Sequence, residues 1–204
     1  ACAFDASHVL EHEAVAAALL RVPPDVASFA DEACARRYLR ANRGDVGAAA
    51  KALAATLAWR QATQPASVQC AACLSDPYSH NMRIVGFDSA GRPVIYTSFN
   101  QARRRFDPVQ NANHMERTLE DALMILARRA ADSCHGGFPS AEQCVWVIDF
   151  DGYSFTRDSN PRSAVLAAQL LAHYPERLGR VLLVDAPSIF SGTWAAVSRI
   201  INST

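Results

Sequence analysis

The first 63 residues place their apolar side chains at intervals of three and four, which is the spacing of one helix face. This spacing predicts helices over residues 7–21 and 27–41, separated by a Pro-Pro pair that breaks the first. It is most regular after Asp45, whose side chain is suited to cap a helix N-terminus, and it predicts a third helix ending near Trp59 and Arg60. Residues 1–63 are therefore expected to form a helical subdomain.

The hydrophobic period changes after residues 64–80, a stretch with the composition of a linker containing a short turn. Two apolar runs, at residues 82–87 and 93–99, flank the polar sequence Asp-Ser-Ala-Gly-Arg and predict a hairpin or tight strand pair. We expect residues 81–204 to form the second domain.

Strand and helix patterns alternate through the rest of the chain. Apolar runs predict strands at residues 144–150 and 180–184, and helical spacing predicts helices at residues 114–131, 163–174 and 194–201. The first of these strands is apolar on both faces, as in a sheet covered by helices. The sequence thus predicts an α/β fold with a mixed, largely parallel sheet.

Composition narrows the function classes. Half of the 204 residues are hydrophobic and 20% are charged, which excludes a disordered chain. Twenty basic residues balance twenty acidic ones, so charge gives no reason to expect nucleic acid as a partner. No apolar run approaches the roughly 18 residues of a membrane-spanning helix. The N-terminus has neither a basic leader nor an initiator Met, and we expect a fragment or an excised domain.

Two local motifs could carry chemistry. Cys70-Ala-Ala-Cys73 is a CxxC without a second CxxC or an HxxxH downstream, so we interpret the pair as ordinary thiols and expect no metal. Asp149 and Asp151 end a predicted strand, where α/β enzymes place catalytic groups. No lysine follows them and no phosphate-binding glycine loop is present, so a turn capped by Asp149 is the preferred interpretation over a metal-dependent phosphatase.

Three segments carry a family resemblance. The first is residues 36–46 followed by Leu-Ala-Trp-Arg at residues 57–60, and the second is Asp-Ser-Ala-Gly-Arg-Pro-Val at residues 88–94. The third combines Val-Ile-Asp at residues 147–149 with Tyr-Pro-Glu-Arg-Leu-Gly at residues 174–179 and Asp-Ala-Pro at residues 185–187. In order and spacing, across about residues 29–202, they resemble the CRAL-TRIO family of lipid-exchange proteins.

The resemblance implies the CRAL-TRIO lipid-binding fold, in which a sheet and its flanking helices enclose one apolar cavity. It implies non-catalytic binding and transfer or presentation of a hydrophobic lipid, a gate helix that opens at a membrane, and no cofactor besides the lipid. It also implies a cytoplasmic monomer that associates transiently with a membrane surface and does not bind nucleic acid. Against the family pattern, the chain stops before the final strand, so we expect the domain to be truncated at its C-terminus.

The resemblance and the alternation of side chains along a strand select the lipid-contacting residues. On one face of two neighbouring strands they are Cys144, Trp146, Ile148, Val181 and Leu183. Tyr96 is a weaker candidate on the sheet floor. On the gate helix they are Phe190, Trp194, Val197 and Ile201. Plain core packing is an equal alternative for Ile148 and Val181. Glu176 and Arg177 match a motif that organises a headgroup site in phosphoinositide-binding relatives, with a helix-terminal ion pair as the alternative.

Departures from the family pattern bear on the ligand. Phosphatidylcholine-binding relatives have small hydroxyl residues where this chain has Cys144 and Trp146, which argues against that lipid. Asn42 stands where phosphoinositide-binding relatives have Arg, which weakens that assignment. A flat hydrophobic ligand stacked on Trp146 fits better. The alternatives are a signalling or trafficking module that recruits membranes or protein partners, and an α/β hydrolase or phosphatase using Asp149 and Asp151.

Overall fold

The computed structural model of the chain describes residues 29–102, 107–132, 142–158 and 160–188. The described residues divide into two compact units, one ending at Gln64 and the other beginning at Pro65. None of the described helices is long and apolar enough to cross a membrane. The helices predicted at residues 7–21 and 194–201 lie outside the described residues.

In the first unit, the described residues form two helices, α1 (Glu32–Ala41) and α2 (Val46–Thr63). Asp31 and Asp45 cap them, since their carboxylates accept the backbone N–H groups three residues on, at 2.7 and 2.9 Å. The helix predicted at residues 27–41 therefore begins at Glu32. The second runs three residues past Arg60 and ends at Gln64, whose φ of 50° is left-handed.

The core of this unit lies between α1 and α2. Its buried members are Ala30, Cys34, Ala35, Tyr38, Leu39, Ala49, Leu53 and Leu57. The Tyr38 hydroxyl donates to Thr56 Oγ1 at 2.7 Å inside this core. Burial raises the pKa of Tyr38 far above its usual value, so the phenol stays neutral and the core holds a paired polar group rather than a charge.

The second unit alternates helices and strands. After a 3₁₀ turn (Pro65–Ser67), its elements are α3 (Ala71–Ser75), β1 (Met82–Phe87), β2 (Pro93–Ser98), α4 (Pro108–Asp132), β3 (Cys144–Asp149), α5 (Phe155–Asp158), α6 (Pro161–Leu171) and β4 (Leu178–Val184). Residues 64–80, predicted as a linker, thus contain the 3₁₀ turn and α3. The strands fall where the apolar runs predicted them, and the mixed α/β class is confirmed.

Helix α4 begins six residues before the predicted start at residue 114. The Asp107 carboxylate accepts the N–H groups of Val109 and Gln110, and Pro108 at the first helical position needs no N–H partner. The apolar spacing from which the helix was predicted begins at Met115, the first residue of the helix that is buried. Local capping chemistry, rather than burial, therefore sets its N-terminus.

The sheet has the order β1-β2-β3-β4. Strands β1 and β2 form an antiparallel hairpin, and β2, β3 and β4 are parallel. Helix α4 connects β2 to β3 and packs on α6, which connects β3 to β4. In register, Trp146 lies opposite Ile95 on β2 and Val181 on β4, so these three side chains share one face of the sheet.

Candidate functional site

A cavity of about 230 Å³ lies between the sheet and helices α4 and α6. Its lining is predominantly apolar. The strands contribute Met82, Thr97, Ser98 and Trp146, the adjoining segments contribute His80, Asn81, Phe99 and Ala102, and the two helices contribute Pro108, Asn111, Ala112, His114, Met115, Ser163 and Ala167. Small residues on the helices, such as Ala112 and Ala167, leave the space that larger side chains would fill.

Trp146 is the predicted site residue that borders this cavity. Its indole N–H donates to the Thr97 hydroxyl at 2.8 Å across the parallel β2–β3 pair. Since indole has a single N–H donor, this bond leaves only the aromatic ring to contact a ligand. At this point the floor of the cavity is therefore the apolar indole ring, whose orientation is restrained by the hydrogen bond to Thr97.

Three further predicted residues share the face of Trp146. The register places Val181 opposite Trp146 and Leu183 opposite Ile148, so all four side chains lie on one face. Ile148, Val181 and Leu183 do not border the 230 Å³ cavity. Their contact with lipid stays a prediction, beside the alternative of plain packing stated above.

Cys144 is buried at the start of β3. Its thiol donates to the Arg177 carbonyl at 3.2 Å, and burial raises the pKa of the thiol to about 11. The group is a neutral thiol at physiological pH. Cys144 does not border the 230 Å³ cavity, and its thiol is already paired, so its contact with lipid stays a prediction.

Tyr96 lies on the opposite face of the sheet from Trp146, because it pairs in register with Val147. Its hydroxyl donates to Asp149 Oδ2 at 2.5 Å. The other oxygen of Asp149 accepts the backbone N–H of Asp151 at 2.9 Å. One carboxylate oxygen thus closes the turn after β3, in line with the preferred interpretation of the sequence, and the other ties the end of β3 to β2.

Glu176 and Arg177 form the turn that leads into β4. The Glu176 backbone has a φ of 57°, and its carbonyl accepts the side-chain amide of Gln143 at 3.2 Å. Arg177 donates to the Glu142 carbonyl at 2.9 Å. These contacts tie the start of β4 to the segment before β3. Phe190, Trp194, Val197 and Ile201, predicted as the gate, lie outside the described residues.

A second group of side chains stands beside the cavity, and sequence reasoning did not assemble it. Cys70, Cys73, His80 and His114 each offer one ligand atom, and these four atoms lie within 4.8 Å of one another. His80 and His114 also border the cavity. The two histidines are 34 positions apart and belong to no spacing motif, so only the packing of α4 beside β1 brings them to the CxxC.

Burial sets the charge state of this second group. It raises the pKa of the Cys73 thiol to about 11, with Cys70 adding to the effect, and it lowers the pKa of His114. His114 Nε2 lies 2.7 Å from the Met82 carbonyl, which can only accept, so Nε2 carries the proton. The lone pair on His114 Nδ1 therefore points to the cysteines.

Comparison with known proteins gives a consistent result. The model of the CRAL/TRIO domain family matches residues 79–204. A CRAL-TRIO domain-containing protein of Schizosaccharomyces pombe is 27% identical over 83% of this chain and 16% of its own length. Phosphatidylinositol transfer protein PDR17 of Saccharomyces cerevisiae is 25% identical over 76% of this chain and 44% of its own length.

The fold matches as well. The crystal structure of Sfh5 superposes with a TM-score of 0.69, at 14% identity, over 98% of this chain and 78% of that one. The chain spans less than half the length of the two curated relatives described above.

Proposed function

The chain belongs to the CRAL/TRIO domain family, and we propose that it binds a hydrophobic lipid in the cavity beneath α4 and α6 and carries or presents it at membranes without catalysing a reaction. The observation that carries this proposal is the apolar cavity with Trp146 as its floor. The N–H of that tryptophan is already bonded to Thr97, so the indole itself offers a ligand contact area but no hydrogen-bond donor.

The driving force for such binding is the removal of apolar surface from water. Each buried CH₂ group contributes roughly 0.8 kcal/mol, so an acyl chain or a fused ring system is retained without a covalent bond. A cavity of about 230 Å³ is small beside the roughly 300–1,000 Å³ typical of sites that enclose a whole drug-sized ligand. The part of the ligand enclosed by the described residues is therefore one apolar segment, such as part of an acyl chain or a ring.

Two of the predicted contact residues, Trp146 and Cys144, support one lipid class over another. Neither its bonded indole nor the Cys144 thiol, which donates to a carbonyl, offers a donor to a phosphate. We therefore favour a flat hydrophobic ligand stacked on the ring. The name of the relative PDR17 makes phosphatidylinositol the rival ligand.

The gate belongs to the same proposal. Phe190, Trp194, Val197 and Ile201 recur at helical spacing in the sequence, and in a helix they would share an apolar face suited to cover a lipid in one state and to meet a bilayer in another. The proposal includes transient peripheral contact of a monomer with a membrane surface. Trp194→Asp or Val197→Asp should weaken lipid loading while the sheet stays folded. Unchanged loading in both variants would contradict the gate.

The deciding experiment is native mass spectrometry of the protein purified from cells, followed by organic extraction and identification of what it carried. One co-purifying lipid near a one-to-one ratio supports the proposal and names the ligand. A folded protein that arrives empty and takes up no lipid from mixed vesicles contradicts it and favours the interaction module. A phosphoinositide as the bound species would retain the carrier function and overturn the flat ligand.

A matched pair of variants tests whether this cavity is the site. Ala167 borders the cavity, whereas Ala164, one turn earlier on α6, is exposed. Ala167→Phe should fill the space and reduce lipid uptake several-fold, and Ala164→Phe should leave uptake unchanged. Equal uptake by the two variants would show that lipid binds elsewhere.

The hydrolase alternative depends on Asp149 and Asp151, and the contacts of both favour a structural role. Asp149 accepts bonds from Tyr96 and from the Asp151 backbone, and Asp151 Oδ2 accepts the Asn100 side-chain amide at 3.0 Å. Metal-dependent turnover lost in Asp149→Asn would revive this alternative.

A further inference from the structure

The CxxC pair begins a short helix that faces two histidines. Cys70 is the N-cap of α3 and Cys73 lies within its first turn, so both thiols project to the same side. The Leu74 N–H donates to the Cys70 carbonyl at 3.0 Å, and the Ser79 hydroxyl donates to the Ala72 carbonyl at 3.0 Å. The segment from Cys70 to Ser79 is thus closed by its own hydrogen bonds and returns the chain to His80.

Three of the six distances within the group are close to those of a tetrahedral metal site, and all six are 4.8 Å or less. His80 Nδ1 lies 3.4 Å from Cys70 Sγ and 3.4 Å from Cys73 Sγ, and His114 Nδ1 lies 3.5 Å from Cys73 Sγ. Zinc–sulfur bonds of about 2.3 Å and zinc–nitrogen bonds of about 2.0–2.1 Å at tetrahedral angles separate sulfur from nitrogen by about 3.6 Å. These three sulfur–nitrogen distances therefore fit binding to one central ion.

Hydrogen bonding alone explains this arrangement less well. A ring nitrogen of neutral imidazole either donates one proton or accepts at one in-plane lone pair. Two thiols nevertheless approach His80 Nδ1 at the same distance. A cation at the centre would satisfy both sulfurs and both nitrogens together.

The surroundings hold the ligands in place. His114 donates its Nε2–H to the Met82 carbonyl, the kind of outer contact that fixes the orientation of a metal-binding histidine. The rings of His80 and His114 stack with centroids 4.9 Å apart. The Gln110 side-chain oxygen accepts the Ala72 N–H at 3.3 Å and ties α3 to α4.

We infer that Cys70, Cys73, His80 and His114 hold a structural Zn²⁺ ion. Two thiolates and two imidazoles in a tetrahedron suit zinc, and four protein ligands leave no open position for a reaction. The ion would join α3, the segment before β1, and α4. Because His80 and His114 also border the apolar cavity, it would fix one end of the cavity wall.

The test uses the full chain, reduced, stripped of metal by a chelator and titrated with Co²⁺ alone. We expect one Co²⁺ per chain, visible d–d bands of tetrahedral intensity, a thiolate-to-cobalt charge-transfer band, and displacement by one equivalent of Zn²⁺. The melting temperature should rise with Zn²⁺ concentration, since the folded chain alone presents the complete site. A folded, reduced chain that binds neither ion at equimolar concentration would overturn the inference.

Single variants assign the ligands. Cys73→Ala and His114→Ala should each abolish the tetrahedral cobalt spectrum, whereas Cys34→Ala, a buried cysteine in the first unit, should retain it. An unchanged spectrum in either ligand variant would overturn the assignment. Isolation of the chain with a Cys70–Cys73 disulfide that, once reduced, takes up no metal would identify a redox pair instead. The wild-type titration decides the matter even where a variant fails to fold.

Discussion

The side chains of Trp146 and Thr97 are joined across neighbouring parallel strands by a 2.8 Å hydrogen bond from the indole N–H to the hydroxyl. Both residues border the apolar cavity. The bond satisfies the single polar group of the largest side chain on the cavity floor, so that side chain presents an apolar surface without leaving a donor unpaired.

Thr97→Val removes the acceptor while keeping the shape of the side chain. The indole N–H then loses its bond in a partly buried position, and we expect the free energy of unfolding to fall by about 1 kcal/mol or somewhat more. Thr97→Ser, which keeps the hydroxyl, should cost distinctly less. Urea unfolding of both variants measures the difference, and equal losses would show that the bond contributes little.

Asp149 should make the stability of the second unit depend on pH in acid. The Tyr96 hydroxyl bond, followed by the Asp151 N–H bond, holds the pKa of Asp149 below its usual range. Asp149 therefore contributes to the free energy of unfolding above the pKa of the unfolded state, near 3.9. This contribution is lost as pH falls through the pKa of the folded state. Asp149→Asn should flatten the decline in unfolding free energy below about pH 4. An unchanged slope in urea titrations at a series of acid pH values would contradict this.

The same bond acts in the opposite direction on Tyr96. The bond to Asp149 raises the pKa of the Tyr96 phenol. The contribution of Tyr96 to the free energy of unfolding is therefore complete below the pKa of the unfolded state, near 10, and is lost as pH rises through the pKa of the folded state. Absorbance titration of the tyrosinate in wild type and in Asp149→Asn should show ionisation at lower pH in the variant.

Gly152 turns the chain after β3 with a φ of 73°, and a Cβ there would lie 3.1 Å from Asn100 Cα. Gly44 has a similar φ of 80° with open space around it. Gly44→Ala should cost only the left-handed strain, about 1–2 kcal/mol, whereas Gly152→Ala should cost more because backbone atoms must also shift. Thermal unfolding of the unit that carries each change provides the comparison. A larger loss for Gly44→Ala would contradict the contact argument.

Tyr38 and Thr56 should be energetically coupled in the first unit. Their 2.7 Å bond is buried, and Tyr38→Phe or Thr56→Val alone removes one side of it. Each should cost about 1–2 kcal/mol, and the double variant should cost about 1 kcal/mol less than their sum. Additive losses in a double-mutant cycle would mean that the bond makes no net contribution.

The sequence predicts the elements well wherever apolar periodicity is set by burial. The strands β1, β2, β3 and β4 fall within two residues of their predicted ends, and the Asp45 cap is confirmed. The start of α4 differs by six residues because Asp107 and Pro108 act through backbone capping, which leaves no apolar signal. Side-chain alternation also gives the common face of Trp146 and Val181, whereas the role of that face in lipid binding stays a prediction.

The group around Cys70 could not be derived from spacing. A CxxC in the sequence supplies two ligand atoms. The other two come from His80, two residues before β1, and from His114 in the second turn of α4. Their approach depends on the packing of α4 against the sheet, a long-range contact that no local pattern encodes. The cavity could not be located from the sequence for a similar reason. Ala112 and Ala167 leave space because they are small, but only the fold shows that they lie where two helices face the strands.

The order of the strands in the sheet, which is also their order along the chain, has a consequence for biosynthesis. As the polypeptide leaves the ribosome, the β1–β2 hairpin emerges first, and each later strand finds its neighbour already made. Among these four strands, none has to insert between two that are paired. The sheet can thus lengthen at one edge in step with translation, and that growing edge stays open to aggregation until the next strand pairs with it.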